Sequence, residues 1–295
     1  PTSSASNTRG GRRSAAICAT FNWCGIRSTR ALCRPKAALR RADAGESAAA
    51  ATVDVELVLA VDISYSMDPD EQALQREGYA AALTSAEFIN AVREGQHGKI
   101  VVTYVEWAGA GEQRVVVPWR VIEDRESAES FAREIADAPY RRAYRTSISG
   151  VLQFAAPLFA TSGQRGLRRV IDVSGDGANN HGMPVTIARD DVLARGITIN
   201  GLPIMLKRPS AASMDIDHLD VYYEDCVIGG PSAFVIPIHD RAQFKEATRT
   251  KLVLEVAGRT PPARIFPVSA EAPRISCLIG ERLWRERWGG NPDFN

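Results

Sequence analysis

Glu56 to Met67 read ELVLAVDISYSM, and this stretch decides the fold. Leu57 to Val61 form an apolar run whose length and composition fit a strand buried on both faces. The run ends abruptly in Asp62, Ser64 and Ser66, one acid and two hydroxyls at alternate positions, with Asp68, Pro69 and Asp70 behind them. A strand buried in this way delivers the next few residues of the chain to the carboxyl edge of a sheet, where open α/β folds place their ligands. Three oxygen-bearing side chains at such an edge suit a hard cation.

Downstream, the spacing predicts one long helix over 70–92, because Leu74, Gly78, Ala81, Ala82, Ser85, Phe88, Ile89 and Val92 share a face. Gly78 in its middle costs about 1 kcal/mol relative to Ala and points to close packing against a neighbour. Residues 99–107 and 113–119 read as two strands joined by the short link 108–112, hence an antiparallel hairpin, with Pro118 suited to an edge. Helices are expected over 127–137 and 147–160, the latter kinked or shortened by Pro157. A strand over 167–174 ends in Gly175-Asp176-Gly177. A helix over 185–194, a strand over 197–204, a short helix over 217–226, a last strand over 233–236 and a helix from Asp240 to Gly258 complete the pattern. Such alternation predicts an α/β fold, a doubly wound and mostly parallel sheet with helices on both faces and one antiparallel edge strand.

Composition narrows the function classes. The 295 residues are 45% apolar and 24% charged, as in ordinary globular domains. The net charge of +1 hides an asymmetry: residues 1–50 hold nine Lys/Arg against two acids, and the other 245 hold 27 basic and 33 acidic groups. That acidic balance argues against nucleic acid as a partner of the folded part. No run approaches the roughly 18 apolar residues of a membrane span, so no transmembrane segment is expected. The five cysteines and four histidines lack zinc-site spacing.

Residues 1–53 read as a disordered basic leader or targeting segment, 54–258 as the folded domain, and 259–295 as a proline-containing tail extending outside it. Arg12-Arg13 before Ser14-Ala15-Ala16-Ile17 carries a faint export signature, which favours a periplasmic or extracellular location over the cytoplasm. Cys226 reads as a buried thiol, with a bridge to Cys277 as the alternative in an oxidising compartment. Asp215, Asp217, Asp220, Glu224 and Asp225 read as a solvated helix face rather than a second cation site.

Three loops at the expected carboxyl edge carry matching donors. The first supplies Asp62, Ser64 and Ser66, the loop before the helix at 147 supplies Thr146, and the strand ending at Ser174 supplies Asp176. These five hard oxygen ligands hold two formal negative charges, a set suited to Mg²⁺. Each has a plain structural alternative: a strand-to-helix turn with an N-cap, a helix cap at Thr146, and a turn at Asp176-Gly177. Their coincidence in this order favours a metal site.

The set Asp62-Ile63-Ser64-Tyr65-Ser66, Thr146 and Asp176-Gly177, with an apolar strand before its first and last parts, resembles the metal-ion-dependent adhesion site of von Willebrand factor type A domains. The resemblance spans 54–258. Within that superfamily, YYEDCVIGGPSAF at 222–234 and KLVLEVAG at 251–258 look like an uncharacterised bacterial branch. The resemblance implies a Rossmann-like domain that binds Mg²⁺ or Mn²⁺ and, through it, an Asp or Glu of a protein partner. It also implies that Asp62, Ser64 and Ser66 ligate directly or through water, Thr146 in the partner-bound form, and Asp176 mainly through water. Tyr65 stands where a small residue is frequent, as a ring able to crowd or shield the metal. Arg145 stands where glycine is common, as a cation able to repel the metal or to serve as a second handle for a carboxylate. Both are expected on the partner-binding side. The alternative is a metal-dependent hydrolase or phosphate-binding enzyme on the same scaffold, for which no G-x-S-x-G elbow, P-loop or dinucleotide fingerprint is present.

Overall fold

The computed structural model describes residues 51–206, 214–259 and 272–289. The expected leader over 1–50 lies outside them. Strand β1, Ala51–Asp62, is the centre of a five-stranded sheet of order β3-β2-β1-β4-β5. It pairs in parallel with β2 (Ile100–Trp107) on one side and β4 (Gln164–Gly175) on the other. Strand β5 (Thr198–Pro203) extends the parallel sheet beyond β4, and β3 (Gln113–Ile122) closes the opposite edge antiparallel to β2. This is the mostly parallel, doubly wound α/β architecture expected, with its single antiparallel edge strand.

The strand alternation sorts the core into two layers. Leu57, Leu59 and Val61 pack beneath α1 (Pro69–Leu83), α2 (Ala86–Arg93), α3 (Arg125–Asp137) and α7 (Phe244–Ala257). Val58 and Ala60 face α4 (Ile148–Ala155), α5 (Val185–Ala194) and α6 (Leu219–Tyr222). The chain leaves β1 for β2 in one direction and later places β4 on the other flank, so the strand order reverses at the β1/β4 boundary. That is the topological switch point of an open sheet, where a crevice opens at the carboxyl ends. Asp62 closes β1 there, and Gly175 closes β4.

Local chemistry explains the elements. Asp68 opens α1 with a reciprocal capping box: its Oδ1 accepts from the Glu71 amide at 2.8 Å while Glu71 Oε2 accepts from the Asp68 amide at 2.9 Å. Gly78 lies where an added Cβ would stand 2.7 Å from the Phe244 ring, which is the close packing of α1 on α7 that its position predicted. In β3 the register slips by one residue, with Val102 opposite Arg120 but Tyr104 opposite Val117. Pro118, which has no amide to donate, sits in that bulge on the edge strand.

Several expected elements differ. The single helix over 70–92 is two: Thr84 Oγ1 bonds back to Ala80 O at 2.9 Å, and Ser85 then caps α2 by accepting from the Phe88 amide at 3.2 Å. The strand over 233–236 is not continuous; the segment meets β5 at the Gly201–Val235 bridge, with a further bridge at Ile204–Ile238 just beyond the strand. The helix over 217–226 is the single turn α6 followed by a π-turn over Tyr223–Val227, with His218 in the left-handed conformation (φ 61°) just before it. Asp215 and Asp217 therefore precede the helix instead of lying on its face. Residues 51–53, assigned to the leader, are strand. Ile279–Trp288 form an α-helix, α8, rather than an extended tail, and Cys277 just before it is bridged to Cys226.

Candidate metal centre

Burial fixes the character of Asp62. Its side chain is fully enclosed at the carboxyl end of the central strand β1. Oδ1 accepts from the Ser64 amide at 2.7 Å, the bond that turns the chain sharply at the end of β1. The other oxygen, Oδ2, is buried with no hydrogen-bond partner. Burial first, and the nearby Asp176 carboxylate second, push the Asp62 carboxyl well above the usual carboxylate range. The Asp62 carbonyl is also held, by Gln75 Nε2 of α1 at 3.0 Å.

From Asp62 the donors run as a chain. The Ser64 and Ser66 hydroxyls lie 2.7 Å apart, and the Ser66 hydroxyl donates to Asp176 Oδ1 at 2.6 Å. Ser64 itself pairs with Ala143, which draws the loop over 139–145 alongside the first loop. Thr146 is buried, with its hydroxyl against Gly177: a Cβ added there would lie 3.5 Å from Thr146 Oγ1. Two asparagines, unmarked by sequence reasoning, set this third loop. Asn180 Oδ1 accepts from the Thr146 amide at 3.0 Å and the Asn180 amide donates to Thr146 O at 2.8 Å, while Asn179 Oδ1 accepts from the Ser149 amide at 3.0 Å. Their position one residue beyond Asp176-Gly177, after Ala178, was the available signal.

The structure thus brings Asp62, Ser64, Ser66 and Asp176 into one connected group and sets Thr146 against the same turn. The donors are two carboxylates and three hydroxyls; among the described residues no three His, Cys, Asp or Glu side chains form a metal cluster. The fully buried Tyr223, on the π-turn, was also missed. Its hydroxyl has no hydrogen-bond partner, and burial and then the Asp62 carboxylate raise its pKa well above the ordinary phenol value. A cavity of about 240 Å³ opens beside Asp176, lined also by Glu71, Asp215, Asp217, His218 and His239.

Tyr65 and Arg145 make their contacts outside the connected donor group. Tyr65 is 47% exposed and stacks on Tyr144 with centroids 4.4 Å apart, beneath the Arg142 guanidinium at 4.6 Å. The ring therefore lies along the rim. Arg145 adopts a left-handed backbone (φ 74°) and lays its guanidinium on the Trp284 ring of α8, 3.4 Å from the centroid. Partial burial there pulls its pKa down. The segment bearing α8 is anchored beside the site by the Cys226–Cys277 bridge and by Asn179 Nδ2, which donates to Glu281 Oε1 at 2.7 Å.

A family model described as "Protein of unknown function (DUF1194)" matches residues 52–260. The chain belongs to that family. No curated protein matches this DUF1194 chain. Among solved structures it is similar to proximal thread matrix protein 1 from the mussel byssus (15% identity, 70% of this chain and 49% of that one, TM-score 0.51). It is also similar to the pilus adhesin SpaC from Lactobacillus rhamnosus GG (12% identity, 70% and 30%, TM-score 0.50) and to a von Willebrand factor type A protein from Catenulispora acidiphila (17% identity, 70% and 43%, TM-score 0.48). The DUF1194 chain spans half or less of each of these proteins. At such identities the likeness is one of fold.

Proposed function

We propose that this domain binds a divalent cation, Mg²⁺ or Mn²⁺, through Asp62, Ser64, Ser66, Thr146 and Asp176, and through it engages an acidic side chain of a partner protein without turnover. The observation that carries this reading is Asp62. A fully buried carboxylate with an orphaned oxygen, facing a second carboxylate, is costly alone and is relieved by a cation between the two. Two carboxylates just neutralise a divalent ion, and neutral hydroxyls add no charge, so an outside carboxylate is a fitting further ligand. Tyr65 and Arg145, on the rim, are then partner contacts. The Cys226–Cys277 bridge supports an exported location, where such bonds persist.

Calorimetric titration of Mg²⁺ and Mn²⁺ into the purified chain, wild type against Asp62→Ala, tests the metal. Heat with saturation in the wild type and none in the variant is expected; equal heats from both would sink the reading.

A further inference from the structure

We propose that Arg145 is a second anion handle beside the metal centre, so that the partner segment carries two acidic side chains, one for the cation and one for the guanidinium. This rests on the metal reading above and names the class of partner. Arg145 directly precedes Thr146, so its side chain leaves the chain one residue from a candidate ligand. Its backbone is left-handed, which costs a non-glycine residue of order 1 kcal/mol and persists only where neighbours enforce it. They do: the following amides of Thr146 and Ser147 are held by Asn180 Oδ1 at 3.0 Å and Ala108 O at 2.8 Å.

The other arginines near this loop are committed. Arg142 donates to the carbonyls of Tyr65 and Met67, Arg141 faces Glu112 at 3.9 Å, and Arg76 is paired with Glu106 at 2.6 Å. Arg145 has no carboxylate in ion-pair contact among the described residues, and its Nη1 is shielded with no hydrogen-bond partner. Trp284 covers one face of the guanidinium. Stacking uses only the face; the N–H donors lie in the plane, where a planar fork matches a carboxylate. The indole is held in place from its own side by the Cys226–Cys277 bridge and by the Asn179–Glu281 contact. A cation positioned by strain, packed on one face and without a carboxylate partner among the described residues presents the accessible part of its half-buried guanidinium, rather than the shielded Nη1, to an anion from outside.

The test uses the full chain and glycine-rich synthetic peptides carrying either one glutamate or two separated by zero to four residues, titrated in Mg²⁺ and in EDTA. In Mg²⁺, one spacing is expected to bind at least about tenfold tighter than the single-glutamate peptide, because the second contact is intramolecular. That gain should vanish in Arg145→Gln and shrink in Trp284→Leu, which decides the matter if Arg145→Gln does not fold. Equal affinity at every spacing, or a gain that survives both substitutions, overturns the proposal. The single-glutamate peptide alone reads the metal: binding that EDTA leaves intact defeats the metal reading, separately from the two-to-one ratio that reads Arg145.

Discussion

Ser66 donates its hydroxyl to Asp176 at 2.6 Å across 110 residues of chain, tying the loop after β1 to the end of β4. The bond holds two candidate ligands at one position over the switch point. Ser66→Ala should therefore weaken Mg²⁺ binding by about tenfold or more, because it removes one candidate ligand and frees another, Asp176, from its orienting hydrogen bond. Thermal stability without metal should change by less than about 1 kcal/mol. Calorimetry and melting in EDTA read the two effects separately.

Asp62 gives the domain a pH dependence of definite sign. Its folded pKa is raised above the ordinary 3.8, so the metal-free fold holds a proton that the unfolded chain has already released. Stability should fall as pH rises from about 4 toward the raised folded value. Melting temperatures in EDTA should be higher at pH 5 than at pH 7. Asp172 and Glu255 act in the same direction, Glu255 being pushed up to about 7 by burial and then by Asp172, so the comparison that isolates Asp62 is Asp62→Asn, whose profile should be flatter. On the proposed reading Mg²⁺ competes with that proton, so its affinity should rise over the same range.

Beneath α7 lies a buried ionic group: the fully enclosed Lys251 ammonium is paired with Asp172 and, at 2.5 Å, with Glu255. Removing the cation leaves two enclosed carboxylates facing each other. Lys251→Met should cost about 3–5 kcal/mol in urea unfolding at neutral pH. Glu255→Gln should cost less, because that carboxyl is already partly protonated near pH 7. A loss under 1 kcal/mol for Lys251→Met would contradict this account.

Gly78→Ala opposes two effects. Helix propensity favours alanine by about 1 kcal/mol, but the new methyl would stand 2.7 Å from the fully buried Phe244 ring. Overpacking of this kind costs about 1–3 kcal/mol and the ring has no room to retreat. A net loss of stability is expected, and a gain in the urea midpoint would show that α1 and α7 are less tightly apposed.

The sheet was legible because β1 is buried on both faces and so reads as an unbroken apolar run, and because a five-residue link can join β2 and β3 only as a hairpin. The order Asp62, Ser66, Asp176 was legible for a related reason: strand ends predict which edge their loops share. The break at Thr84-Ser85 was hidden, since the apolar period continues across it and only the competing hydroxyl bonds interrupt the helix. The segment over 233–238 has strand composition, but its register beside β5 is set by isolated bridges that no local pattern encodes. Arg145 was legible as an oddity and not as a stack, because its partner Trp284 lies on a helix whose docking depends on the distant bridge between Cys226 and Cys277. The full burial of Asp62 depends on neighbours distant in sequence, such as Gly175 and Asp176, which no single stretch records.

That bridge closes a covalent ring of chain from Cys226 to Cys277. A peptide bond cut anywhere between the two cysteines would leave α8 attached through sulfur, so the indole beneath Arg145 survives proteolytic nicking that would otherwise shed it. The domain and its terminal helix would part company on a gel only after a reductant is added.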